Sequence, residues 1–163
     1  MGGKLDLEEL YYASYRRLVV QLYAICGDVA DAEDAVQEAF VIAIRKEREL
    51  RRVANPEAWV RTAALNRLRR GWRHASVVRK YQPRVPGPQV PVEAGPDHVA
   101  IVTALARVDR DQREVVVLHY LADLGIAEIA GELGIPEGTV KSRLSRARAR
   151  LADLLNEKED RHV

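Results

Sequence analysis

With 163 residues, 47% of them apolar and 31% charged, the chain suits one ordinary domain or two small helical ones and lies far from the composition of disorder. Its net charge of +2 would say little about a polyanionic partner if evenly spread, and no apolar run reaches the roughly 20 residues of a membrane helix. The N-terminus, Met1-Gly2-Gly3-Lys4-Leu5-Asp6, lacks the apolar stretch of a secretory signal, so a cytosolic chain is expected.

Leu7, Leu10, Tyr11, Ser14, Tyr15, Leu18, Val19 and Leu22 recur at helical spacing until Gly27-Asp28 breaks the pattern. Cys26, the only cysteine, can form no intrachain disulfide and has no His or Cys at metal-ligand spacing; it reads as a small buried apolar residue. A second helix is expected from Asp31 as N-cap, with Glu33 and Asp34 in the turn where carboxylates favour the helix dipole. Its apolar stripe is Ala32, Ala35, Val36, Ala39, Phe40 and Ala43. Asp34, Gln37 and Glu38 fall mainly off that stripe, so one face packs and the other is offered to a partner.

Asn55-Pro56 interrupts the next stretch, because a residue before proline is pushed out of the helical region. A third helix from about Glu57 has Trp59, Val60, Ala63, Ala64 and Leu68 as its apolar face. Arg61, Arg67, Arg69, Arg70 and Arg73 decorate the remainder. Charge is divided along this half of the chain: the first 50 residues lean acidic, while residues 51–84 hold one acid, Glu57, among many arginines. Such a stretch can meet a phosphate backbone.

Pro83, Pro86, Pro88, Pro91 and Pro96, with Gly87 and Gly95 among them, exclude helix and central strand, which predicts a semi-extended linker over residues 81–97. The domains expected are therefore residues 1–80 and 98–157. In the second, Val99, Val102, Leu105 and Val108 form one amphipathic segment, and a nearly continuous apolar run, Val115-Val116-Val117-Leu118, lies within another from Arg113 to Tyr120. No strand pattern with turn signals occurs, so the fold class expected is all-α, in two small helical domains.

The most informative segment runs from Ile126 to Arg143. A short helix with Ile126, Ile129, Ala130 and Leu133 inward stops at Gly134, the residue type that takes a left-handed cap at little cost. Pro136 and Glu137 suit the first turn of the next helix, whose buried stripe is Val140, Leu144, Ala147 and Leu151. The outward side shows Lys141, Ser142, Arg143, Ser145, Arg146, Arg148 and Arg150. Short polar and forked cationic side chains on the second helix of a helix-turn-helix can reach base edges and phosphates in the major groove. An arginine-rich solvated helix is the blander explanation, and the preceding helix, glycine turn and proline start count against it.

Two separated segments carry a resemblance to a known family. Asp31-Ala32-Glu33-Asp34-Ala35-Val36-Gln37-Glu38-Ala39-Phe40 and Gly134-Ile135-Pro136-Glu137-Gly138-Thr139-Val140-Lys141-Ser142-Arg143-Leu144-Ser145-Arg146-Ala147-Arg148 resemble motifs of extracytoplasmic-function sigma factors, the smallest members of the sigma-70 class. The resemblance covers roughly residues 5–74 and 98–155. It implies a subunit that directs bacterial core RNA polymerase to promoter DNA. Asp31, Asp34, Gln37, Glu38 and Phe40 would dock on the polymerase. Asn55, Arg61, Asn66, Arg67, Arg70 and Arg73 would meet the −10 element, with the loop over residues 51–57 capturing a flipped base. Thr139, Lys141, Ser142, Arg143, Ser145, Arg146 and Arg148 would read the −35 element. The family further implies an anti-sigma partner. The linker resembles a segment that threads towards the polymerase active-site channel, although its prolines depart from the acidic linkers of the family.

Trp59 reads as a core anchor rather than a base-stacking residue, whereas Trp72 divides evenly between core cover and DNA contact. No cofactor, metal or independent catalysis is expected. His74, His98, His119 and His162 are scattered without partners at ligand or triad spacing, and there is no Gly-rich phosphate loop. The rival class is a stand-alone helix-turn-helix regulator. It would leave the acidic N-terminal motif without purpose, and the chain has no dimerising heptads.

Overall fold

The computed structural model describes residues 4–78 and 96–161, and among these residues there are eight helices and no strand. The chain divides into two compact units, Met1–Val90 and Pro91–Val163. The expected linker over residues 81–97 lies outside the described residues except at its end, where Pro96 already opens a helix. That boundary is a correction: proline has no N–H to lose at a first helical position, so it starts a helix as readily as it prolongs a linker.

In the first unit, α1 (Leu7–Cys26) begins at Asp6, whose carboxylate accepts from the N–H groups of Glu8 and Glu9, and ends at Gly27 with φ +74°. A two-residue connection leads into α2 (Val29–Arg45). Its N-cap is Asp28, which accepts from the N–H of Asp31 at 3.0 Å. The expected cap at Asp31 is therefore displaced by three residues: two aspartates compete, and the one beside the glycine turn holds the extended backbone that a cap needs. The inner face of α2 is as expected, with Ala32, Ala35, Val36, Ala39, Phe40 and Ala43 all buried.

Four of those six side chains are single methyl groups, which lets α2 lie between α1 and α4 (Pro56–Val78) and pack on both. A single turn, α3 (Glu47–Leu50), drops Leu50 into the core on the way. Asn55 then caps α4 by accepting from the N–H of Ala58 at 3.1 Å. Val60, Ala64, Leu65 and Leu68 fill the core from α4, while Trp59 and Ala63 are only half-buried.

The second unit holds α5 (Pro96–Leu105), α6 (Arg110–Tyr120), α7 (Ile126–Leu133) and α8 (Glu137–Asp160). Val115, Val116, Val117 and Leu118 of α6 are buried, and α6 and α7 both pack on α8. The stripe expected over α5 is corrected in part: Val99 is exposed, and Val108 is buried but lies beyond the helix. Arg113 explains that end. Its guanidinium donates to the carbonyls of Leu105, Ala106 and Val108, tying off the end of α5 beside the backbone bond from Val108 N–H to Leu105.

Candidate nucleic-acid interface

The sharpest turn of the second unit positions its outward chemistry. Gly134 takes φ +65°, and both its own N–H and that of Ile135 close on the carbonyl of Ala130. The chain then enters α8 through Pro136, with Thr139 and Val140 bonded back to its carbonyl. Helix, glycine turn and second helix thus form the expected helix-turn-helix, with Ile129 fully buried at its centre and Val140, Leu144 and Ala147 buried along α8.

Around α8 the side chains assigned to DNA separate into two kinds. Lys141, Ser142, Ser145 and Arg146 are exposed away from the buried stripe, and the Ser142 hydroxyl donates to the carbonyl of Thr139. Arg143 and Arg148 flank the stripe and are engaged by the two ends of α6. Arg143 Nη2 lies 3.7 Å from Asp111 Oδ2. Arg148 Nε donates to the Tyr120 hydroxyl at 2.7 Å, with its guanidinium carbon 5.5 Å from that ring's centre. Periodicity alone could not separate these groups, because which helix crosses behind α8 is a tertiary fact.

On α4, Asn66, Arg70 and Arg73 stand at i, i+4 and i+7 and are all exposed. Trp59 lies seven residues before Asn66 and is half-buried, which fits a core anchor at the edge of that face. Trp72 is half-buried too. Arg67 is turned aside, its Nε donating to Glu38 of α2. Arg61 is a correction. It is 3% exposed, and its Nη1 donates to the side-chain oxygen of Gln21, itself buried, at 3.3 Å. An arginine so placed holds α1 to α4 and has no surface to offer a DNA strand. Asn55 is exposed, with its carbonyl oxygen committed to the helix cap.

The outward row of α2 contains Asp31, Asp34, Gln37 and Glu38, all exposed. Gln37 donates to the Tyr15 hydroxyl at 3.2 Å, while burial pushes that phenol's pKa above its ordinary value and the Gln37 bond partly offsets the rise. Phe40, expected on the docking surface, is 5% exposed and packs edge-to-face on Tyr11 with ring centres 5.0 Å apart. Its place in the sequence stripe agreed with burial, and the surface role is withdrawn on that geometry. Two exposed apolar residues continue that row. Val41 and Ile44 are 46% and 64% exposed, one helical heptad beyond Asp34 and Gln37. The same spacing that marked the acids would have marked them, had apolar character not been equated with burial.

A bidentate pair, Arg17 Nε and Nη2 to Glu57 Oε1 and Oε2 at 2.7 and 2.9 Å, fastens α1 to the first turn of α4. The Glu57 carboxylate raises the Arg17 pKa further by hydrogen bond and charge. Among the described residues no His, Cys, Asp and Glu group could hold a metal ion, and no helix is long and apolar enough to cross a membrane.

A helix-turn-helix with a basic outward face is joined in one chain to a four-helix unit with an acidic row on α2 and a basic row on α4. Comparison with known proteins gives the family. Residues 10–85 match the family model for sigma-70 region 2, and residues 98–151 match that for sigma-70, region 4. The chain is 34% identical over 158 residues to the ECF RNA polymerase sigma factor SigM of Mycobacterium tuberculosis, spanning 94% of this chain and 79% of that one. It is 39% identical over 127 residues to SigL of the same organism, spanning 74% and 72%. Among solved structures, the sigma factor RpoE from Bartonella quintana, crystallised with the anti-sigma factor NepR, matches with a TM-score of 0.81 at 25% identity, over 93% of this chain and 97% of that one. The chain belongs to the extracytoplasmic-function sigma factors of the sigma-70 family, and its function is that of an RNA polymerase sigma factor directing transcription initiation.

Proposed function

We propose that the chain binds core RNA polymerase through the outward row of α2 and presents promoter DNA with two separate basic faces. Asp31, Asp34, Gln37 and Glu38 supply the docking row. Asn66, Arg70 and Arg73 meet the −10 element, their cations tracking the backbone of a single strand while Trp59 stands in the same row. Arg67 joins them through the guanidinium nitrogens that Glu38 does not hold. Lys141, Ser142, Ser145 and Arg146 read the −35 duplex, with Thr139, Arg143 and Arg148 at its phosphates. The observation that carries this reading is the exposure of two basic rows, one on α4 and one on α8, each backed by a packed core.

Catalysis in this reading belongs to the polymerase, and the chain acts in the cytoplasm where the polymerase is. RpoE is held by an anti-sigma factor, and we extend that mode of control to this chain: a protein that covers the α2 row and the α8 face together silences both at once. The proline-rich segment joins residues 1–80 to 98–157.

Run-off transcription with purified core polymerase tests the reading. Addition of the chain yields a product from a template carrying its −10 and −35 elements and none from a template with both scrambled. Specific duplex binding of equal strength without polymerase would instead favour the stand-alone regulator.

A further inference from the structure

Tyr120 is the last residue of α6, an unusual place for a large aromatic that is 55% exposed. Its hydroxyl accepts from Arg148 Nε at 2.7 Å, and the centre of its ring lies 5.5 Å from Cζ of the same guanidinium. One arginine is therefore held through its inner nitrogen and lies within cation–π range of the same ring. A phenol ring and its hydroxyl can do both; a phenylalanine offers only the ring.

The tyrosine is itself fixed. His119 meets it edge-on with ring centres 4.8 Å apart, and His119 Nδ1 lies 2.9 Å from the carbonyl of Leu124. Leu124 N–H in turn donates to the carbonyl of Leu118. The chain between α6 and α7 is thus closed on itself beneath the ring, and Asp123 adopts φ +55° within it, a left-handed conformation that aspartate tolerates. Because Nε is used on Tyr120 and Arg148 is exposed, its two Nη groups are the donors left for an outside partner.

We propose that Tyr120 is a positioning residue for DNA reading: it holds Arg148 in the pose that presents both Nη groups to a backbone phosphate of the −35 duplex. The inference rests on the assignment of Arg148 to that duplex. Sequence periodicity could not supply it, since Tyr120 and Arg148 are 28 residues apart. A long flexible arginine loses side-chain freedom when it docks on DNA. An anchor that restricts it beforehand lowers that loss, and the affinity gain appears only when phosphate is bound.

The test uses the full chain assembled with core polymerase on a promoter with an intact −35 element, comparing Tyr120→Phe, Arg148→Ala and the double variant. Promoter affinity is measured against salt concentration, and each variant is melted in parallel. Tyr120→Phe keeps the ring, so its melting curve should match the parent. It should lower promoter affinity roughly threefold to tenfold, the range of one hydrogen bond. Arg148→Ala should lower affinity and reduce the salt slope by about one phosphate contact. In the Arg148→Ala background, Tyr120→Phe should then do nothing further. Additive effects, or full affinity in Tyr120→Phe beside a weakened Arg148→Ala, would overturn the positioning role while leaving Arg148 on DNA. Unchanged affinity and salt slope in Arg148→Ala would remove Arg148 from the interface, and the positioning role with it.

Discussion

Arg67 Nε donates to Glu38 Oε2 across the packing of α4 on α2, so a single ion pair joins the row assigned to polymerase to the helix assigned to the −10 strand. An outside partner meets either side chain through the nitrogens or the oxygen that this contact leaves over, or after the pair has opened. Both are about half-exposed, with side chains 40% and 45% accessible for Arg67 and Glu38, so the pair contributes under about 1 kcal/mol and opens easily.

That cost separates two substitutions on one helix row. Asp34→Lys should weaken core-polymerase binding by about tenfold, by placing like charge where opposite charge docks, with no change in the melting curve. Glu38→Gln should weaken core binding less and also release Arg67. Titration of labelled core polymerase, with a thermal melt of each variant, checks both. Core affinity equal to the parent in Asp34→Lys would remove the α2 row from the docking surface.

Arg61→Ala should act on stability rather than on promoter reading. Removing it strips the buried Gln21 side chain of a donor and leaves a cavity, at a cost of about 2–4 kcal/mol in the first unit. Thermal or urea unfolding reads the loss. Below the midpoint, −10 affinity per folded molecule should stay within about twofold, the effect of a distant surface change.

Arg146→Ala should lower transcription that depends on the −35 element by about 1–3 kcal/mol in promoter affinity if it makes a base-specific pair. Its exposure on the outer side of α8 motivates this expectation. Equal run-off yields from matched and scrambled −35 templates, for parent and variant alike, would assign it a solvated role.

The thiol of Cys26 provides a pH signature for the first unit. Burial first, partly offset by backbone hydrogen bonding at Asp28, pushes its pKa from 9.0 up to about 11. A raised pKa means that the folded state favours the protonated thiol. The associated stability is complete below pH 9 and is lost as pH rises towards about 11. Melting temperatures of the parent should fall across that window, and those of Cys26→Ala should fall less. Native protein at neutral pH should also react slowly with a thiol reagent.

Much of this molecule was legible beforehand, for reasons that differ by residue. The alanine stripe of α2 and the glycine turn at Gly134 were readable because each is a local requirement: a helix face must be apolar, and φ +65° suits glycine. The N-cap was not, because Asp28 and Asp31 have the same chemistry and the choice depends on where α1 ends. Arg61, Arg143 and Arg148 shared one description in the sequence, that of a cation on a basic helix. Packing gave each a different neighbour: Gln21, Asp111 and Tyr120. Phe40 and Val41 show the same limit from the apolar side, since adjacent residues of similar character fall on opposite sides of one helix.

The methyl-lined inner face of α2 has a consequence for change over time. Ala32, Ala35, Ala39 and Ala43 lie against two neighbouring helices with almost no exposed surface, so enlarging any of them would force the helices apart. Its outer row has no such duty. Substitutions there cost at most the exposed contacts of Gln37 with Tyr15 and Glu38 with Arg67. One helix thereby carries a frozen side and a free side, and a lineage can revise whom this protein meets without first relearning how it folds.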